Sequence, residues 1–245
     1  MPLLALLLAL LSVPTLLSAC PLPQSEIPQP EDVYRQERLE MVEQHLRSRD
    51  IHHEGVLEAM SRVPRHLFMP SEVRQYAYAD QAAPIGSEQT LSQPYVVALM
   101  TQSVDPKPQD LVLEIGTGSG YQAAVLAELT REVFTIEIVP ELAESAARTL
   151  EEQGYSNVRV RQGDGYQGWP SEAPFDVVMI TAAAERIPEP LIEQLAEGGR
   201  LIMPLGQVDG IQTLTLVTRK DGQTAVTGII PVRFVPMTGE IQDGR

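Results

Sequence analysis

From Asp110 onward, short apolar runs alternate with stretches whose apolar residues recur at helical spacing. Runs rich in Val, Ile and Leu predict strands at 111–115, 133–138, 158–161, 175–181 and 200–204. The intervening stretches predict helices at 121–130, 140–153 and 189–196, the last expected to end at Gly198-Gly199. Such an alternation is typical of parallel βαβ units with right-handed crossovers.

The two ends of this core carry different patterns. Runs at 213–218 and 225–235, joined by a Lys220-Asp221-Gly222 turn, predict a C-terminal hairpin added to the sheet. Apolar residues between 33 and 60, interrupted around Asp50, predict a cap of two short helices. The segment 76–94 has no clean period, and long irregular stretches in compact domains are often functional. We therefore expect one α/β domain over 31–245, with a helical cap and loop at 31–104 and the core at 105–245.

Residues 1–30 are expected to lie outside this domain. The apolar run at 3–17 is too short to span a membrane comfortably and is typical of a signal peptide. It ends in Leu17-Ser18-Ala19-Cys20, which resembles a bacterial lipoprotein processing site. No Lys or Arg precedes Arg35, so the positive region of a signal peptide is missing, and a wrongly assigned start codon is the other explanation. The Pro-rich stretch 21–30 is expected to be a linker.

Composition narrows the possible partners. The net charge of −15 would repel phosphate backbones, so we expect no nucleic acid partner. Cys20 is the only cysteine, which excludes an intrachain disulfide and a zinc site built from cysteines. The four histidines have no metal-ligand spacing, and we therefore expect no metal.

A glycine-rich segment carries the clearest chemical information. Gly116, Gly118 and Gly120 follow the first predicted strand and would let the backbone approach a ligand closely. Their G-x-G-x-G spacing differs from the G-x-G-x-x-G of dinucleotide sites, which disfavours a nicotinamide dehydrogenase without excluding it. Glu137 ends the second strand at the spacing suited to ribose hydroxyls. Asp164, between two glycines after the third strand, suits an adenine amino group.

The chain offers no pair of nucleophile and base. Ser119 lies in no G-x-S-x-G elbow, and no histidine follows His66. Hydrolysis is therefore disfavoured. Methyl transfer from a sulfonium to a good nucleophile fits better, because the protein there mainly positions and desolvates its ligands.

Seven motifs are spread along the chain: Arg62-Val63-Pro64-Arg65, Pro84-Ile85-Gly86, Gln89-Thr90-Leu91-Ser92-Gln93-Pro94-Tyr95, residues 112–121, Gly163-Asp164-Gly165-Tyr166-Gln167-Gly168-Trp169, Ala173-Pro174-Phe175-Asp176 and Val232-Arg233-Phe234-Val235-Pro236. Together they resemble the protein-L-isoaspartate (D-aspartate) O-methyltransferase family over roughly residues 33–240. The glycine segment is shared by many methyltransferases, whereas the motifs at 89–95 and 163–169 are more specific.

The resemblance implies a Rossmann-like class I methyltransferase fold that uses S-adenosyl-L-methionine. The expected reaction methylates the free carboxylate of L-isoaspartyl residues in damaged proteins and peptides. The ester then closes to a succinimide, and reopening partly restores aspartate. By the family pattern Ser92 and Thr90 are the catalytic residues, and their hydroxyls would orient a carboxylate that needs no general base. The implied cofactor contacts are Gly116, Gly118, Glu137, Asp164 and Gly165, and Thr238 is expected to approach the substrate backbone or the cofactor.

Two departures from the family pattern leave alternatives open. Glu88 stands where bacterial members often carry glycine. The N-terminal extension would suit export, yet S-adenosylmethionine is made in the cytoplasm, so we favour the cytoplasm over an exported or lipid-anchored form. Membrane attachment is expected only if Cys20 is lipidated. The alternatives are an exported lipoprotein that keeps the fold as a binding module, and a methyltransferase for another substrate.

Overall fold

The computed structural model describes residues 30–241. The predicted apolar run at 3–17, Cys20 and the linker up to residue 29 lie outside the described residues. In the described part of the chain, no helix combines the length and the apolar character needed to cross a membrane.

A seven-stranded sheet forms the centre of the structure. Two short strands, β1 and β2, precede it in the chain and are described below. The strands of the sheet are β3 Leu111–Ile115, β4 Glu132–Glu137, β5 Val158–Gln162, β6 Phe175–Ile180, β7 Leu195–Leu205, β8 Gln212–Lys220 and β9 Gln223–Val232. Their order is β5-β4-β3-β6-β7-β8-β9; β3 to β7 run parallel, and β8 is antiparallel to both of its neighbours. The predicted α/β class with a mostly parallel sheet is confirmed.

Helices cover both faces of this sheet. They are α1 Pro30–Met41, α2 Glu54–Arg62, α3 Pro94–Ser103, α4 Tyr121–Ala127, α5 Pro140–Glu152 and α6 Glu189–Glu193. The N-terminal helix α1 continues without a break into a π-helical turn at Val42–Arg47, and α2 completes the two predicted cap helices. One apolar cluster packs the first five helices against the sheet face that carries Val112. A second cluster packs α6 against the face that carries Leu113 and Ile115, so β3 is buried on both sides.

The junction of α6 and β7 differs from the prediction. The helix ends at Glu193, and the strand already begins at Leu195, which pairs with Phe175. The register then shifts before Arg200, with Gly198 at φ 79° and Gly199 too close to Ala196 O to carry a side chain. The two glycines therefore accommodate an irregularity inside the strand, and the prediction that they end a helix extending to residue 196 was wrong.

The irregular segment contains a small hairpin. Strands β1 (Ala83–Gly86) and β2 (Gln89–Leu91) are antiparallel and are joined by Ser87 and Glu88. Both turn residues have positive φ, 49° and 58°, as a two-residue type I′ turn requires. Glycine would adopt this conformation without strain, whereas Glu88 adopts it with a side chain present.

Candidate active site

The carboxyl ends of β3 to β6 meet at one edge of the sheet and open into a narrow cleft, here called the inner cleft. The chain passes from β3 outward to β5 and returns to β6 on the other side of β3, so this edge is a topological switch point, where α/β sheets bind ligands. Six predicted site residues line the inner cleft together: Thr90, Gly116, Gly118, Glu137, Gly165 and Thr238. Their individual roles stay predictions.

The glycine loop, residues 116–120, lies against the end of β6. The hydroxyl oxygen of Thr181 is 2.7 Å from Gly116 O and 3.0 Å from Ile115 O. Gly116 has φ 95°, and a Cβ there would overlap this hydroxyl oxygen. Position 116 therefore requires glycine for two independent reasons, the backbone conformation and the close approach of Thr181.

Glu137 connects the glycine loop to the entrance of α5. Its side chain is buried, and its two carboxylate oxygens accept the N–H groups of Gly118 at 2.8 Å and Val139 at 3.0 Å. Each carboxylate oxygen has a second lone pair, so the carboxylate can still accept from the two hydroxyls of a ribose.

Asp164 does not line the inner cleft, although its neighbour Gly165 does. Its carboxylate accepts the N–H of Tyr166 at 2.9 Å and that of Glu240 at 2.7 Å. It thereby fixes the C-terminal segment to the end of β5, a role that its Asp-Gly context did not indicate. At Gly165 a Cβ would overlap the side chain of Ile115, so glycine is needed there for packing against β3.

A wider cavity of about 480 Å³, here called the outer groove, opens beside the inner cleft. Ser92 lines the outer groove, together with Arg49, Tyr95 and the segment 230–235. Thr90, Thr181 and Val235 line both cavities. A molecule lying in the outer groove would therefore meet a ligand of the inner cleft beside Thr90.

A buried acid lies beneath the glycine loop and had no place in the expected site. Glu114, on β3, is fully buried and accepts a 2.5 Å hydrogen bond from the Thr135 hydroxyl, which is 2.7 Å from that of Thr117. Burial, with a smaller contribution from the negative charge of Glu137, raises the pKa of Glu114 to about 8, although the hydrogen bond from Thr135 acts to lower it. The carboxyl is therefore mostly protonated at neutral pH. The position of Glu114 inside the apolar run 111–115 is the sequence signal that could have indicated this buried acid.

Replacing Glu114 by glutamine should remove a pH-dependent loss of stability. Between its ordinary pKa of 4.5 and about 8, the unfolded chain releases a proton that the folded chain keeps. The wild type therefore loses stability as pH rises through this range, by at most about 5 kcal/mol, whereas Glu114→Gln does not. The variant's gain in Tm over the wild type should be larger at pH 8.5 than at pH 5. A gain that is the same at both pH values would contradict this, and Glu152→Gln, on exposed α5 surface, controls for the change of charge.

Comparisons with known proteins agree with the family that the motifs resemble. The model of the family Protein-L-isoaspartate(D-aspartate) O-methyltransferase (PCMT) matches residues 36–242. The protein-L-isoaspartate O-methyltransferase of Gloeobacter violaceus is 56% identical over 200 residues, covering 82% of this chain and 98% of the relative. That of Opitutus terrae is 57% identical over 204 residues, covering 83% and 88%.

A solved structure shows similarity to the same family. It is described as a protein-L-isoaspartate O-methyltransferase from Plasmodium falciparum in complex with S-adenosyl-L-homocysteine. It superposes with a TM-score of 0.73 at 25% identity and covers 82% of this chain and 98% of its own. The resemblance found in the motifs is confirmed: the chain belongs to the protein-L-isoaspartate(D-aspartate) O-methyltransferase family.

Proposed function

We propose that the protein transfers the methyl group of S-adenosyl-L-methionine to the free carboxylate of L-isoaspartyl residues in proteins and peptides. The observation that carries this proposal is the meeting of the inner cleft and the outer groove at Thr90, Thr181 and Val235. A narrow glycine-lined cleft suits the cofactor, and a groove open to the surface suits a segment of polypeptide. The family assignment supplies the chemistry that would occur where they meet.

The transfer needs little acid–base help from the protein. A carboxylate oxygen forms a bond to the methyl carbon as the bond between that carbon and the sulfonium sulfur breaks, and S-adenosylhomocysteine leaves with the electron pair. No proton moves, which agrees with the lack of a nucleophile and base pair in the sequence. The contribution left to the protein is to align the oxygen, carbon and sulfur atoms and to keep water away.

On the cofactor side, we assign the ribose to Glu137 and the close backbone approach to Gly116 and Gly118. The carboxylate of Glu137 is already oriented by two backbone N–H donors, so its free lone pairs need no rearrangement to accept hydroxyls. Asp164 and Gly165 are assigned to the adenine end. The relative from Plasmodium falciparum, described with S-adenosyl-L-homocysteine bound, supports this use of the cleft.

On the substrate side, we assign the isoaspartyl carboxylate to the hydroxyls of Ser92 and Thr90. Thr90 lines both cavities and Ser92 lines the outer groove, so the two hydroxyls flank the path from the groove to the cleft. Thr238, which is exposed and lines the inner cleft, is assigned to the substrate backbone. We place the reaction in the cytoplasm, where the cofactor is made.

The product identifies the methyl acceptor. Incubation with methyl-labelled S-adenosylmethionine and an isoaspartyl peptide should give a product that releases labelled methanol in mild base, as an ester does. Label that survives base would contradict carboxyl methylation and favour a methyltransferase for another group. Binding of S-adenosylhomocysteine without any ester would favour the binding module. Thermal stabilisation by NAD in place of S-adenosylhomocysteine would favour a dehydrogenase.

A further inference from the structure

Arg65 is a buried cation whose contacts are unusual. Its side chain is 1% exposed, and within residues 30–241 it forms no ion pair with a carboxylate. Its Nη1 atom is buried without a hydrogen-bond partner in this part of the chain. Burial lowers the pKa of Arg65 to about 10, so the guanidinium still carries its charge at neutral pH. A buried charge that no carboxylate contacts directly destabilises a fold, and Asp80 acts on Arg65 only at longer range. The remaining contacts of Arg65 indicate its role.

The guanidinium contacts three separate parts of the site. Nε donates to Ala77 O and Nη2 donates to Ser92 O, both at 2.8 Å. The central carbon lies 4.9 Å from the ring centroid of Tyr121. Ala77 and Ser92 bracket the hairpin that carries Thr90, whereas Tyr121 begins α4 directly after the glycine loop. One side chain thus connects the segment 77–95, here called the substrate loop, to the glycine loop.

We propose that Arg65 is a positioning residue that holds the substrate loop in register with the glycine loop, so that Ser92 and Thr90 face the methyl group. This inference rests on the proposed roles of those two hydroxyls. Only a guanidinium offers a planar fork that reaches two carbonyl oxygens while its face lies on an aromatic ring. Lysine would keep the charge but reach one acceptor at a time.

Arg38 provides a matched control in the same cap. It is also buried, donates from Nε to the carbonyl oxygen of Ser61 at 2.8 Å, and donates from Nη1 to the hydroxyl of Tyr78, at the start of the substrate loop, at 3.1 Å. In the described structure it forms no hydrogen bond to residues 89–95, which carry Thr90 and Ser92, and its guanidinium does not lie on the ring of Tyr121. Loss of Arg38 should therefore destabilise the cap without misaligning the two hydroxyls.

The test compares Arg65→Met, Arg65→Lys and Arg38→Met in the full chain, well below their melting temperatures. Arg65→Met should lower kcat on an isoaspartyl peptide about 10- to 100-fold, as expected for a small misplacement, while the Kd for S-adenosylhomocysteine changes less than about threefold. Arg65→Lys should recover part of kcat. Arg38→Met should lower Tm with kcat unchanged. Equal losses of kcat in Arg65→Met and Arg38→Met, or a wild-type kcat in Arg65→Met, would overturn the inference.

Two further measurements test the positioning role even if Arg65→Met folds poorly or the wild type forms no ester. Guanidinium ion at tens of millimolar should restore several-fold activity to Arg65→Ala and none to Ser92→Ala; lack of rescue would count against positioning. Hydrogen exchange of the amides at 89–95, with S-adenosylhomocysteine bound, should speed up in Arg65→Lys and not in Arg38→Met. If the wild type makes no isoaspartyl ester, the proposed function is wrong. Unchanged hydrogen exchange in Arg65→Lys would instead refute the positioning role of Arg65.

Discussion

Replacing Gly116 by alanine is expected to weaken the binding of S-adenosylhomocysteine by at least about 100-fold, or about 2.7 kcal/mol. The new Cβ would overlap the hydroxyl oxygen of Thr181, and alanine at φ 95° adds backbone strain of about 1–2 kcal/mol. The glycine loop would have to move away from β6, which disturbs the wall of the inner cleft. Titration calorimetry of the purified variant measures the effect.

A substitution at a second glycine distinguishes the effect of backbone strain from that of the overlap with Thr181. Gly154 also has positive φ, 82°, but a Cβ there meets nothing within 4 Å, and the residue follows α5 away from the inner cleft. Gly154→Ala should therefore lower stability by about 1 kcal/mol and leave the affinity for S-adenosylhomocysteine unchanged. Wild-type affinity in Gly116→Ala, or an equal loss in Gly154→Ala, would contradict the geometry. Adding Thr181→Ala to Gly116→Ala should recover part of the affinity, since it removes the overlapping atom.

Replacing Ser92 by alanine is expected to lower kcat on an isoaspartyl peptide about 10- to 100-fold, with affinity for S-adenosylhomocysteine changed less than twofold. A hydrogen bond to a charged group contributes about 1.5–3 kcal/mol, and Ser92 lines the outer groove but not the inner cleft. Steady-state kinetics and calorimetry on the same preparation separate the two effects.

Ser103 controls for the loss of a serine hydroxyl. It ends α3, the helix that Ser92 precedes, and is likewise half-buried. Ser103→Ala should leave both kcat and affinity at wild-type values. If Ser92→Ala loses cofactor affinity in proportion to kcat, the hydroxyl does not act on the substrate and the assignment is wrong.

Local pattern was enough to predict the central strands. The predicted ends of β3, β4, β5 and β6 lie within one residue of those observed. Strands β3, β4 and β6 are largely apolar runs buried in the sheet, and β5, at the sheet edge, alternates half-buried valines with arginines. The ends of α6 and β7 depend instead on the pairing of Leu195 with Phe175, twenty positions away in the chain. No local pattern carries information about such a pairing, so Gly198 and Gly199 by themselves predict a helix end.

The same distinction applies to the site. In a parallel sheet, the residues that follow each strand lie at the same edge of the sheet. The positions of the glycine loop and Glu137 at this edge were therefore predictable from the sequence. The role of Arg65 was not predictable from the sequence. Its acceptors Ala77 and Ser92 belong to a segment without periodicity, and its aromatic partner Tyr121 comes much later in the chain, after β3. The structural role of Asp164 depends on Glu240, seventy-six residues later in the chain.

The central claim concerns which carboxylate is methylated, and two isomeric peptides test it directly. One peptide carries L-isoaspartate and the other L-aspartate at the same position, with all other residues identical. With labelled S-adenosylmethionine, the isoaspartyl peptide should form the base-labile methyl ester and then the succinimide, and the aspartyl peptide should remain unlabelled. Equal labelling of both peptides, or labelling of the aspartyl peptide alone, would contradict the assignment.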